Sequence, residues 1–88
     1  MAYFRRLLEA KPTEGRKIWL RFEDGVAAEV DFSFLLDYGG VFLPLRDPDF
    51  FRQVRVHASG ITIEWPGEVD FDPEAVYRRT REAAGVAA

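Results

Sequence analysis

Between positions 18 and 31, apolar and polar side chains alternate with a period of two, interrupted once at Glu23-Asp24-Gly25. Ile18, Leu20 and Phe22 alternate with Trp19, Arg21 and Glu23. Val26, Ala28 and Val30 alternate with Ala27, Glu29 and Asp31. This pattern marks two strands of a β-hairpin with one buried face. A two-residue Asp24-Gly25 turn would set Leu20 opposite Glu29 and Ile18 opposite Asp31, mixing charge with apolar groups on one face. A three-residue loop instead pairs Phe22 with Val26, Leu20 with Ala28 and Ile18 with Val30, because a slip of one residue inverts every side chain. The pattern therefore predicts the longer loop, ending on Gly25 with a positive φ.

Upstream, residues 3–11 leave two readings open. Phe4, Leu7 and Leu8 have helical spacing, whereas the aromatic start suits an edge strand beside the hairpin. Pro12 closes either one, and Thr13-Glu14-Gly15 turns into the hairpin. Downstream, Ser33 is placed to cap a single helical turn carrying Phe34, Leu35 and Leu36, stopped by Gly39-Gly40. Val41-Phe42-Leu43 reads as a short strand closed by Pro44. Asp47-Pro48 opens one helical turn over residues 48–52.

Val54 and Val56 lead into a second hairpin that returns through Ile61, Ile63 and Trp65. Parity requires an even-numbered loop, either Ser59-Gly60 or the four residues 57–60. Glu68, Asp70 and Asp72 alternate with Val69 and Phe71 as one more extended segment. Asp72-Pro73-Glu74 then opens the one substantial helix, residues 73–84, with Val76, Tyr77, Thr80 and Ala84 facing inward and Gly85 as the stop. Together the elements predict one α+β domain over residues 1–88, with its core in residues 5–84. Its parts are a small curved antiparallel sheet built from β-hairpins, short one-turn helices, and one C-terminal helix packed on the sheet.

At 88 residues, folding hides only about 60–65% of the unfolded chain's surface, so every core side chain matters. Two Trp, three Tyr and eight Phe help, since each ring can bury about 150–250 Å². The absence of cysteine removes disulfides, thiol catalysis and Cys-ligated zinc, and suits a reducing compartment. No apolar run approaches the roughly 20 residues that span a bilayer, and no signal-peptide pattern opens the chain, so a cytoplasmic protein without a membrane partner is expected. The net charge is −3, unevenly spread: residues 1–22 carry six basic and two acidic groups, and the remainder six basic and thirteen acidic. An acidic whole makes autonomous duplex binding a poor expectation, because that affinity comes from neutralising phosphates. A local basic patch would arise if Arg5 and Arg6 met Arg78, Arg79 and Arg81 in space.

The ordered series Phe22-x-Asp24-Gly25, Val30-Asp31-Phe32, Val41-Phe42-x-Pro44-Leu45-x-Asp47, Phe51-x-x-Val54-x-Val56, Thr62-Ile63-x-Trp65-Pro66 and Asp70-Phe71-x-Pro73-Glu74-x-x-Tyr77 resembles the small bacterial family catalogued as domain of unknown function 2442. The resemblance covers roughly residues 5–78. It implies a compact α+β fold and no assigned biochemical activity. Some members resemble antitoxin-like partners encoded beside another small domain, and some are fused to a helix-turn-helix module. This sequence leaves no room for such a module, so a regulatory role would need a separate partner, one that an adjacent gene would encode.

Candidate chemistry is sparse. His57 is the only histidine and sits at a hairpin rim, where it reads as an exposed loop residue rather than a base or metal ligand. Ser33 reads as a cap rather than a nucleophile. The carboxylates Glu68, Asp70, Asp72 and Glu74 are oxygen donors of the kind Mg²⁺ or Ca²⁺ favours, but they lack the spacing of an EF-hand loop. They read first as a solvated edge that deters strand pairing. Trp65 shares the parity of Ile61 and Ile63 and belongs to the core. Trp19 lies on the opposite face from Leu20, where an uncovered aromatic would suit an interaction site.

The expected function is thus a non-catalytic protein-interaction domain without a cofactor, an antitoxin-like or regulatory partner in a two-protein bacterial system. Trp19, Arg21, Arg78, Arg79 and Arg81 are its candidate surface. The rivals are a ligand- or divalent-metal-binding protein using Glu68, Asp70 and Asp72, and an accessory nucleic-acid-associated protein. A homodimer formed through sheet edges remains compatible with the pattern.

Overall fold

The computed structural model describes residues 5–85; Tyr3 and Phe4, part of the ambiguous N-terminal stretch, lie outside them. The chain runs through β1 (Leu7–Pro12), β2 (Lys17–Phe22) and β3 (Ala27–Asp31), two 3-10 helices (Ser33–Asp37 and Gly40–Arg46), and α1 (Pro48–Phe51). Then come β4 (Arg55–Val56), β5 (Ile63–Trp65), β6 (Val69–Asp70) and α2 (Pro73–Ala83). The fold is α+β. Its strands form two antiparallel three-stranded sheets, ordered β1-β2-β3 and β4-β5-β6.

The first hairpin has the three-residue loop. Leu20 pairs with Ala28 and Ile18 with Val30, the Phe22 N–H donates to the Val26 carbonyl at 2.8 Å, and Gly25 has φ +92°. Residues 7–12 are strand, not helix, and a β-bulge explains why periodicity left them open. Leu7 faces Phe22 and Glu9 faces Arg21, so Leu8 is the extra residue. The bulge puts Leu7 and Ala10, three apart, on the same inner face, a spacing that mimics a helix.

Two expectations about the middle of the chain are corrected. Ser33 does not cap its helical turn: the Asp31 side chain accepts the Ser33 N–H at 2.8 Å, and the capping position falls to Phe32. The stretch Val41-Phe42-Leu43 is not a strand but part of a 3-10 helix with Pro44 inside it. Three residues per turn align Phe42 with Leu45, which turn inward, and leave Val41 and Leu43 outside. Gly39 and Gly40, at φ +68° and +54°, make the left-handed corner that separates the two 3-10 helices.

The second hairpin takes the register of the Ser59-Gly60 alternative, with Val56 opposite Ile63. Its loop opens over residues 58–61, because the last rung is the His57 N–H to the Thr62 carbonyl at 2.8 Å. Asp72 caps α2 by accepting the Glu74 N–H. Ala75, Val76 and Thr80 are the buried residues of α2, whereas Ala84, expected inside, is exposed.

One continuous core joins the two sheets. Ile18, Leu20, Phe22 and Val30 of the first meet Ile63, Trp65 and Val69 of the second through Phe32, Leu35, Leu45, Phe51 and Val76. Trp65 is fully buried, and its indole N–H donates to the Phe51 carbonyl at 2.8 Å. The first sheet also touches the loop of the second hairpin, where the Leu7 N–H reaches the Gly60 carbonyl at 2.7 Å.

Candidate interaction surface

The two 3-10 helices and the corner between them carry three of the four large apolar side chains exposed among the described residues: Tyr38, Val41 and Leu43 are 56%, 67% and 50% exposed, and the fourth, Leu8 on β1, is 45% exposed. Beneath them lies a floor of half-buried rings. Phe71, just past β6, sits 5.7 Å from Phe34, 6.4 Å from Tyr38 and 6.2 Å from Phe42, centroid to centroid. Tyr38 itself is 5.8 Å from both Phe34 and Phe42, at steep interplanar angles. Edge-to-face pairs such as these contribute roughly 0.5–1.5 kcal/mol each beyond the area they bury.

Arginines brace the stretch from below. Arg16 donates to the carbonyls of Leu45 and Arg46 at 3.2 and 2.9 Å, and Arg46 donates to the Leu36 carbonyl at 3.1 Å. The exposed apolar groups therefore stand on a tethered backbone rather than a slack loop.

The residues expected to form the interaction surface are not brought together. Trp19 and Arg21 lie on the outer face of the first sheet, opposite the face where Phe22 meets Tyr77 of α2. Trp19 is half-buried and clothed in charge. Its indole N–H donates to Glu9 at 2.9 Å, its cross-strand neighbours are Lys11 and Glu29, and Arg21 pairs with the same Glu9 oxygen at 3.6 Å. On α2, Arg78 is exposed and pairs with Glu82, while Arg79 lies over Phe34 at 3.7 Å. Arg81 donates to the Tyr77 hydroxyl.

Arg5 does meet α2, since it and Arg81 lie 4.7 and 5.7 Å from the Tyr77 ring centre. That meeting is neutralised at its centre: Asp24 accepts from the Tyr77 hydroxyl and pairs with Arg5 at 3.6 Å.

The chemical candidates fare differently. Among the described residues no group of three His, Asp or Glu side chains is arranged to hold a metal ion, and Asp72 is engaged as a helix cap. His57 is half-buried rather than an exposed loop residue, because the register sets it beside two carboxylates. Its Nε2 lies 3.9 Å from Glu64 and 3.7 Å from Asp70. Ser59 Oγ lies 3.0 Å from Nδ1, giving a Ser-His-carboxylate order along the ring. However, the Nδ1 lone pair already accepts the Ser59 backbone N–H at 2.9 Å. A base that must take the hydroxyl proton needs that lone pair.

Sequence reasoning missed Tyr38, Val41 and Leu43 as surface. The available signal was the run of residues 38–43, which carries no charge and has a double glycine at 39 and 40. Read with a period of three, it puts Val41 and Leu43 outside.

Residues 7–82 match the model of the family described as Protein of unknown function (DUF2442). The chain belongs to this family. No curated protein and no solved structure matches it. Among the described residues, no helix is long and apolar enough to cross a membrane.

Proposed function

We propose that this DUF2442 protein is a non-catalytic protein-interaction domain, the antitoxin-like or regulatory half of a two-protein bacterial system, and that it docks its partner through the two 3-10 helices. The supporting observation is the co-exposure of Tyr38, Val41 and Leu43 on a braced backbone above an aromatic floor. Burying such side chains is the main favourable term in association, and contiguous exposed apolar groups mark interaction sites. On the outer face of the first sheet, by contrast, Glu9, Arg21, Lys17 and Glu29 form ion pairs around the half-buried Trp19.

The test is co-expression with the product of the neighbouring gene, followed by size-exclusion chromatography. The two proteins should elute together, and Val41→Asp with Leu43→Asp should separate them while leaving the folded domain intact. Separate elution of the unsubstituted pair, or co-elution indifferent to these changes, would remove the proposal.

A further inference from the structure

We infer that Arg79 makes this surface a receptor for an acidic-apolar segment of a partner protein, with a carboxylate of the segment on the Arg79 guanidinium and a neighbouring apolar side chain on Tyr38. The inference rests on the interaction-domain reading above and deepens it. Arg79 stacks on Phe34 at 3.7 Å, at one end of the ring cluster that includes Tyr38, Phe42 and Phe71. Its Nε is buried and has no hydrogen-bond partner. Arg5 and Arg16 also lie over rings, but Arg5 has Asp24 and Arg16 has two carbonyls. Among the described residues, Arg79 has the ring alone.

A ring face stabilises the cation but accepts none of its N–H groups well. The Nε is shut in, so the groups open to a partner are the two Nη, which are not enclosed and make no hydrogen bond or ion pair among the described residues. The group that fits this edge is planar and anionic, since two parallel N–H groups match a carboxylate. The contact with Phe34 holds the guanidinium at the edge of the ring cluster. The surroundings narrow the source further. A nucleic-acid backbone would ask for several cations, whereas among the described residues Arg79 is the one cation over these rings, in a protein of net charge −3. One carboxylate beside an apolar side chain, carried on a peptide segment, fits both features.

The experiment pans a randomised peptide display library on the full chain, then measures binding of the enriched peptides to variants by fluorescence anisotropy. The unsubstituted protein should enrich peptides with Asp or Glu within a few residues of Leu, Phe or Trp. Arg79→Gln should weaken them by at least about tenfold, and Arg79→Lys should do so less. Amide correlation spectra establish that both variants are folded. Tyr38→Ala should weaken the same peptides independently. Enriched peptides without an acid, or peptides indifferent to Arg79→Gln, would overturn the carboxylate assignment. If those peptides were still lost with Val41→Asp, the interaction-domain reading would survive it. Failure of peptides to bind, with single-stranded oligonucleotides binding through Arg79 instead, would also overturn the assignment.

Discussion

Asp24 ties the first hairpin loop to the C-terminal helix. Burial alone would raise its carboxyl, but the Tyr77 hydroxyl, the Val26 N–H and the Arg5 guanidinium outweigh that effect and hold it below the ordinary Asp value. Asp31 is lowered as well, by the Ser33 N–H and hydroxyl first, which outweigh the opposing cost of burial, and by Lys17 to the smallest degree. Both folded values lie below the unfolded one, so the native state binds fewer protons and stability rises with pH across that range. The contribution is present in full above an unfolded value of about 3.9 and is lost as pH falls through the lower folded values. Urea midpoints measured down that range should therefore fall, and Asp24→Asn should make the fall shallower; an unchanged slope would contradict the assignment. Tyr77→Phe, which removes a hydroxyl bonded to a carboxylate that is partly in water, should cost about 1 kcal/mol or less.

At the scale of elements, Gly25 carries the hairpin register. A side chain there would meet no atom within 4 Å, yet φ is +92°, so its cost would be conformational: Gly25→Val should destabilise by about 1–2 kcal/mol. Thermal melting would register this as roughly 4–8 °C per kcal/mol for a domain of this size. That hairpin could be read from sequence because two alternating strands and one glycine all required the same register. Residues 7–12 resisted because the bulge at Leu8 breaks the period. The segment Val41-Phe42-Leu43 misled because a short apolar run has no period of its own to separate a strand from a 3-10 turn; the left-handed glycines before it decide the matter. Leu43, exposed on the second 3-10 helix, should accept Leu43→Glu with a stability change within about 0.5 kcal/mol. The same substitution should abolish partner binding, a separation of effects readable by melting and co-elution on one sample.

At the scale of the whole molecule, Trp65 links both sheets' core to α1 through its ring, 5.6 Å from Phe51, and its indole N–H. Trp65→Ala should cost about 3–5 kcal/mol, a large share of the roughly 5–15 kcal/mol that holds a domain together. Trp65→Phe, which keeps an aromatic and leaves the Phe51 carbonyl with the Val54 N–H alone, should cost less. Urea titration orders the two. Trp65 was legible as core from parity alone. The interaction surface was not, since it depends on which residues distant in sequence meet: Phe71 from beyond β6 and Arg79 from α2 come to the 3-10 helices only through the tertiary fold. The same dependence hid the charges that clothe Trp19, because Glu9 reaches it across a strand pair whose register the bulge sets.

The most direct measurement is an amide and indole correlation spectrum of the isotope-labelled protein, free and with the unlabelled product of the neighbouring gene. Shifts are expected at Tyr38, Val41 and Leu43 and at the Arg79 side chain, with the Trp19 indole N–H signal unmoved. Shifts centred on Trp19 and the outer sheet face, or a spectrum that the second protein leaves unchanged, would contradict the proposed docking surface.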